Sequence, residues 1–239
     1  MLITADGIRP YLGRTWFLLF LGLELARRKQ RVLFLSSSER TDSMLRLDSL
    51  RGQETLLLDR DFTGSMPNLM EYIHEPFPGF HYLAAPRTRR VSVPDLKALC
   101  DSREHDVVIC QYRLRQQEPL FCLVPGNLQA LREKDAGRIW RRARRPLVSG
   151  MPPELLTPER RQMYGSLLGH DVRFVRWEPR LALIPCEREL LDYFREETSG
   201  GYLADIRRLA DDLVPQACVQ ETASRLQFWR KWVDRDHAQ

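Results

Sequence analysis

The triplet Gly13-Arg14-Thr15 stands between a strand-like and a helix-like segment, where a phosphate-binding loop would carry Gly-Lys-Thr. In such a loop, glycines let successive backbone N–H groups surround the phosphates, a lysine adds a point charge, and the final hydroxyl faces a magnesium ion. These residue types would support nucleotide binding and phosphoryl transfer. Gly13, Arg14 and Thr15 are therefore the first candidate site residues.

The residues around the triplet argue against a working loop. Two positions that are glycine in a phosphate loop hold Pro10 and Tyr11 when the sequence is aligned on Gly13. Proline has no N–H to donate, and the tyrosine side chain obstructs a close approach of phosphate to the backbone. Arg14 replaces the lysine with a larger, planar cation, which is not a conservative change in a packed loop. The sequence thus predicts a vestigial phosphate loop.

Apolar, β-rich runs alternate with helical patterns along the chain, which is typical of βαβ units. Runs such as RVLFL and DVVIC are apolar throughout, so helices are expected on both faces of the sheet. The predicted fold class is α/β, a mostly parallel twisted sheet with helices on both faces. We predict strands at residues 2–5, 31–35, 55–58, 81–84, 107–111, 120–124, 146–149 and 172–175, and helices at 15–29, 93–102, 128–143, 158–168, 187–196 and 202–213.

Length and composition restrict the class of protein. The chain has 239 residues, of which 43% are hydrophobic, and is predicted to form one domain over residues 1–214, followed by a tail over 215–239. The densest apolar run, 16–25, contains Glu24 and is shorter than the about 20 residues that span a bilayer. We recognise no targeting signal and expect a cytoplasmic protein. The five cysteines and five histidines lack metal-ligand spacing, so no metal site is predicted.

Several stretches together resemble the ParA/MinD family of deviant P-loop ATPases, of the SIMIBI class. The opening is similar to the family's order GKGGVGKTT, helix, RVLLID. FHYLAAP resembles its third core strand, EHDVVICQ the strand that ends in an aspartate, and LVPGNLQALREKDAGRIWRR a strand, loop and helix near the nucleotide. Either FVRWEPRLA or LALIPCERELL resembles its loop beside the adenine. The resemblance extends over nearly all of residues 1–214 and implies a P-loop NTPase-like fold.

The resemblance also implies which groups have been lost. Arg9 lies where the family has its signature lysine, and Arg14 where it has the loop lysine. The run Ser36-Ser37-Ser38 stands where the family has carboxylates that hold magnesium and orient water, and Gln111 where it has an aspartate. Because phosphoryl transfer depends on positioned charge, we expect a pseudo-ATPase with no catalytic residues and no cofactor. The alternative is a protein that still binds ATP with magnesium, with Arg9 and Arg14 gripping the phosphates.

The resemblance to the ParA/MinD family also implies a cellular function. Members of the family, including positioning proteins of the MinD, TadZ and cellulose-operon types, commonly pair across the nucleotide. They position or assemble membrane-associated bacterial machines such as division sites, flagella, pili, secretion systems and polysaccharide synthases. The resemblance therefore implies a non-hydrolysing scaffold or regulator that acts through protein contacts, as a homodimer or as a heterodimer with an active relative.

DNA binding of the partition type is a further alternative. The chain carries a formal charge of +5, and basic side chains cluster in one predicted helix and just after it. The competing interpretation, which we prefer, is a solvated helix end whose cations favour the carboxyl-terminal dipole. The basic run consists of Lys134, Arg138, Arg141, Arg142, Arg144 and Arg145.

The stretch SRLQFWRKWVDRD has the pattern of an amphipathic helix. Its basic residues and tryptophans suit a peripheral contact with the inner membrane, as in MinD-type members, or a contact with a partner. Two nearby aspartates offset attraction to anionic lipid, which favours a helix that covers the sheet edge or a partner subunit. The apolar face would consist of Leu226, Phe228, Trp229, Trp232 and Val233.

Overall fold

A computed structural model describes residues 1–7, 12–36, 73–84, 96, 99–101, 104–111, 118–126, 145–169, 172–196 and 201–214. Within these residues the strands form one sheet in the order β3-β4-β2-β5-β1-β6-β7-β8. All neighbouring strands run parallel except the antiparallel pair β3 and β4. The strands are β1 Leu2–Gly7, β2 Val32–Ser36, β3 His74–Phe77, β4 Phe80–Ala84, β5 Val107–Cys110, β6 Phe121–Pro125, β7 Arg145–Met151 and β8 Arg173–Arg176.

Helices lie on both faces of the sheet, as the apolar strands predict. They are α1 Arg14–Arg27, α2 Pro158–Leu168, α3 Glu187–Arg195 and α4 Gly201–Leu213, with short 3-10 turns at Pro153–Leu155 and Pro179–Ala182. Residues 96 and 99–101 are also helical. The start of α2 follows local chemistry, because the hydroxyl of Thr157 accepts a hydrogen bond from the Arg160 N–H at 3.4 Å and Pro158 occupies the first turn.

Helix α1 is the central element of one face. It packs with α3 and α4 on the sheet in the largest apolar cluster, and Phe20 meets the rings of Tyr193 and Tyr202 edge-on. Gly22 lets α1 approach the sheet closely, since a methyl group there would lie 2.6 Å from the Phe80 ring. Two smaller apolar clusters lie on the opposite face, one around Leu96 and one around α2.

The predicted fold class is confirmed: the sheet is mostly parallel and covered on both faces. Seven predicted strands and all predicted helices within the described residues lie within a few residues of their predicted positions. Strand β3 was not predicted, because its four residues include Pro76, and proline argues against a strand except at a sheet edge, where β3 lies. The predicted strand 55–58, the predicted helix 128–143 and the tail 215–239 lie outside the described residues.

Candidate functional site

The candidate site lies at the carboxyl edge of the sheet, where ligand crevices of open α/β folds form. Helix α1 begins just beyond the end of β1, and Gly13 at its amino end has a left-handed backbone with φ of 72°. The half-buried side chains of Arg14 and Thr15 follow in the first turn. Ser36 ends β2 and Gln111 follows β5, so three chain segments that are distant in sequence meet at this edge.

The side chain of Gln111 joins two of these segments by hydrogen bonds. Its amide Nε2 donates to the hydroxyl of Thr15 at 2.7 Å, and its Oε1 accepts from the hydroxyl of Ser36 at 3.3 Å. The backbone N–H of Gln111 also donates to Leu35 O at 3.0 Å. Gln111 and Ser36 are almost completely buried. The segments at the ends of β2 and β5 and the start of α1 are thus connected by a neutral network.

This donor set does not fit a magnesium ion. Magnesium takes carboxylates, phosphates and water as ligands. Here the Thr15 hydroxyl accepts a hydrogen bond from the amide of Gln111, a neutral group that supplies no charge to balance a cation. The described side chains that the resemblance would assign to magnesium are neutral and bonded to one another.

The phosphate-loop residues are described only in part. The first turn of α1 contains no acidic residue, and the structure gives no side-chain cap at its amino end. That end is where a helix attracts anions. Arg9, Pro10 and Tyr11 lie outside the described residues, as do Ser37 and Ser38. The predicted roles of Arg9, Gly13, Arg14 and Thr15 in contacting phosphate stay predictions.

Two contacts near this edge were not anticipated from the sequence. The hydroxyl of Ser149, in β7, donates to the carbonyl of Leu12 at 2.9 Å and so holds the residue before Gly13. Trp177, which follows β8 and is 56% exposed, packs beside Gly150, where an added methyl group would contact its ring at 3.6 Å. A positive φ of 74° at Gly150 makes the glycine necessary there. Both contacts join residues separated by more than 20 positions, and no sequence motif indicates them.

The comparison with solved structures identifies the architecture. MinD, the septum site-determining protein of Pyrococcus horikoshii solved with Mg-ADP, superposes with a TM-score of 0.61 at 16% identity, over 91% of this chain and 98% of that one. The chain has the fold of the MinD and ParA ATPases. The MinD cell division protein of Aquifex aeolicus gives 0.60 at 15% identity, covering 87% and 95% of the two chains. A ParA family ATPase of Chlorobium tepidum gives 0.56 at 12% identity, over 87% and 98%.

Sequence comparison gives no such match. No protein-family model and no curated protein matches the amino-acid sequence. The MinD-like fold is therefore identified from the arrangement of strands and helices, at sequence identities of only 12–16% to these three structures.

The structure also bears on the predictions for the cysteines, metal ligands, membrane spans and basic run. Cys110 and Cys122 are buried strand residues, as the sequence predicts. Among the described residues, no group of three or more His, Cys, Asp or Glu side chains has the geometry of a metal site. No described helix combines the length and the hydropathy needed to cross a membrane. Of the basic run, only Arg145 is described, half-buried at the start of β7, and the apolar residues of the tail lie outside the described part.

Proposed function

We propose that this MinD-like protein is a regulator or scaffold that does not hydrolyse ATP and acts through contacts with protein partners of a membrane-associated bacterial assembly. The observation that supports it most directly is the network in which Gln111 joins Thr15 and Ser36. In-line phosphoryl transfer needs a metal ion and charged groups positioned around the phosphates. A buried amide and two hydroxyls provide no negative charge to balance a metal ion.

The solved relatives support the choice of partner class. One of them is a MinC:MinD cell division complex of Aquifex aeolicus, which matches with a TM-score of 0.60 at 14% identity. A fold that already presents surfaces to other proteins can keep that role after its nucleotide chemistry is lost. Under this proposal the protein associates as a homodimer, or as a heterodimer with an active relative, and the association is independent of ATP.

The decisive experiment is isothermal titration calorimetry with ATP and magnesium, alongside a phosphate-release assay on the same preparation. We expect phosphate release equal to the buffer background and weak or no binding. Arg14→Lys and Gln111→Asp, made singly, should restore no turnover, because groups that act as a unit contribute non-additively. For Gln111→Asp, magnesium chloride should also leave the unfolding midpoint unchanged.

Other outcomes of the titration would replace the proposal. Micromolar binding with turnover that disappears in Arg14→Ala would mean that the loop works and that the protein is an ATPase. Binding without turnover would favour a nucleotide-locked regulator in which Arg14 clamps phosphate. That second candidate is kept because the positively polarised start of α1 carries no acidic residue.

The predicted tail gives an independent test of the scaffold role. Deletion of residues 222–239 should weaken association with partner or with vesicles of anionic lipid while leaving the domain folded. Sedimentation velocity, vesicle flotation and circular dichroism measure the three effects. Loss of the folded domain on deletion would mean instead that the tail covers the protein's own core.

A further inference from the structure

A groove runs along the open side of strand β8, far from the phosphate-loop residues in sequence. Helix α2 forms one wall, helix α4 the other, and residues of β8 and just before it form the floor. The volume is about 790 Å³, within the range of about 300–1,000 Å³ of sites that bind small molecules. Strand β8 is the last strand in the described sheet order, so no described strand covers this side of it.

The wall formed by α2 contains a glycine that the fold does not explain. Gly165 lies in the interior of α2, where glycine destabilises a helix by about 1 kcal/mol relative to alanine. An added methyl group would have no described atom within 4 Å, so no described neighbour requires a glycine there. Gly165 lines the groove and leaves the helix backbone open to it. A glycine at such a position is typical of a close approach by a ligand.

The charges of the groove are only partly compensated. Asp205 accepts three hydrogen bonds from Arg176, between 2.8 and 3.0 Å, and Asp212 accepts one from Arg173 at 2.8 Å. Both carboxylates are therefore committed to arginines of β8. Arg208, with a side chain 71% exposed, comes no closer than 3.6 Å to Asp205.

A second arginine faces the groove from α2. The guanidinium of Arg161 lies over the ring of Phe174, 5.2 Å from its centre. Arginines stacked on an aromatic ring keep their N–H groups free to bind a carboxylate. The groove thus presents cations from both walls, Arg161 and Arg208, beside the apolar side chains of Phe174 in the floor and Leu209 in α4.

We propose that the groove between α2 and α4 binds an extended, acidic peptide segment of a protein partner. Arg161 and Arg208 contact carboxylates of the segment, and the Phe174 side of the floor contacts an apolar side chain. The open shape suits a chain that runs along β8 better than an enclosed small molecule. Two cations beside an apolar ring suit alternating acidic and apolar side chains better than a continuous row of phosphates.

This inference rests on the proposed function only in requiring a protein partner. The groove does not involve Thr15 or Gln111, so the calorimetric test with ATP and the test below can fail separately. If ATP is hydrolysed but the peptide binds, the scaffold proposal fails and the groove stands.

The test is fluorescence anisotropy with the full chain and a fluorescein-labelled octapeptide of alternating glutamate and leucine. We expect saturable, micromolar binding, and at least about tenfold weaker binding of the octapeptides in which glutamine or lysine replaces glutamate, since each charge-assisted hydrogen bond contributes strongly. Absence of saturable binding would overturn the proposal. So would an oligothymidylate of equal charge that binds as tightly as the glutamate peptide.

Three variants test where the peptide binds. Arg161→Gln combined with Arg208→Gln should weaken binding at least about tenfold. The matched control, Arg188→Gln, removes an exposed arginine of α3 outside the groove and should leave the affinity unchanged. Gly165→Leu should weaken binding to the same extent as the double variant by filling the groove. Equal losses in the control and the double variant would mean non-specific attraction and would overturn the proposal.

Gly165→Ala separates binding from folding. It should raise the thermal unfolding midpoint by about 2 °C through helix propensity and at the same time weaken peptide binding. If Gly165 had only a structural role, the gain in thermal stability would not be accompanied by a loss of peptide affinity. A change in sedimentation coefficient on Gly165→Leu would instead identify a second copy of the chain as the occupant and would contradict the proposal.

Discussion

The two edges of the parallel sheet, which helix α1 connects, are built from different chemistry. At the carboxyl edge, where α1 begins, Thr15 and Ser36 are joined through the neutral amide of Gln111. At the amino edge, where α1 ends, the buried Arg28 donates hydrogen bonds to Glu24 and forms an ion pair with Asp211. The described buried ion pair of α1 therefore lies at the edge that carries no predicted ligand site.

Other groups extend the amino-edge charges across the sheet. Arg31 pairs with Asp106, and the Met1 ammonium group donates to the Asp106 carbonyl at 2.7 Å. His81 and His105 share a hydrogen bond of 2.8 Å between Nδ1 and Nε2. These groups join the starts of β2, β4 and β5 and the first residue of the chain, so they stabilise the fold. Among the described residues, charged pairs therefore join the strand starts at the amino edge, whereas Thr15, Ser36 and Gln111 are joined by neutral groups at the carboxyl edge.

The largest effect is expected from Arg28→Leu. Arg28 also donates to the carbonyls of Arg207 and Val214, so it fixes the end of α4 against α1. Removing it leaves the Glu24 carboxylate, 1% exposed, with only the partly exposed Arg27 as a described ion-pair partner, and breaks a buried pair, which costs about 3–5 kcal/mol of the free energy of unfolding. Urea denaturation at neutral pH measures this loss.

Two further variants control that measurement. Arg27→Leu removes the other arginine bonded to Glu24, but its side chain is 39% exposed, so the loss should stay below about 1 kcal/mol. Glu24→Leu added to Arg28→Leu should recover part of the stability, because no uncompensated charge is then buried. Equal losses for Arg27→Leu and Arg28→Leu would contradict the difference between the two edges.

An intermediate effect is expected from acid. Burial, together with the nearby His81 and Arg31, lowers the pKa of His105 from 6.5 to about 4. Because the folded-state pKa lies below the unfolded one, this contribution to stability is present above pH 6.5 and is lost as pH falls from 6.5 towards 4. The loss amounts to about 3 kcal/mol at most. His105→Asn should show a shallower decrease in the free energy of unfolding over that range, and parallel pH profiles would contradict the assignment to His105.

The smallest effect is expected at the carboxyl edge, from Gln111→Leu. The change removes the amide that bonds the hydroxyls of Thr15 and Ser36, at a cost of about 1–2 kcal/mol for buried, neutral hydrogen bonds. Ser166→Ala is the matched control, since its hydroxyl donates to Gln162 O on the surface at 3.0 Å and its loss should be close to neutral. Urea denaturation of the two variants measures the difference in their free energies of unfolding. A loss as large as that of Arg28→Leu would mean that the carboxyl edge also depends on charge.

Much of the fold could be predicted because its causes are local. The apolar runs of β2 and β5 lie in the buried middle of the sheet, and the Thr157-Pro158 start of α2 fixes a helix boundary. Strand β3 escaped prediction, because a four-residue edge strand with a proline carries no period-two pattern and exists only through its pairing with β4.

The residues of the candidate site could be predicted from the sequence, but the hydrogen bonds between them could not. The sequence identified Thr15 as the retained hydroxyl of the loop, and Ser36 and Gln111 as positions where charge is missing. Their hydrogen bonds connect residues 75 and 96 positions apart, and such contacts depend on the parallel register of β2 and β5 and on where α1 begins. The contact of Ser149 with Leu12 has the same origin, over 137 positions.

The sequence by itself determined the alternation of strands and helices, the covering of both sheet faces and the absence of carboxylates at the ends of β2 and β5, since each of these depends on residue type and short-range spacing. The tertiary structure alone decided that Gln111 bonds the hydroxyls of Thr15 and Ser36, that Arg28 is buried between α1 and α4, and that Gly165 lines a groove beside β8. These features depend on which distant segments the sheet order brings together, and a linear sequence does not specify that order through any local interaction.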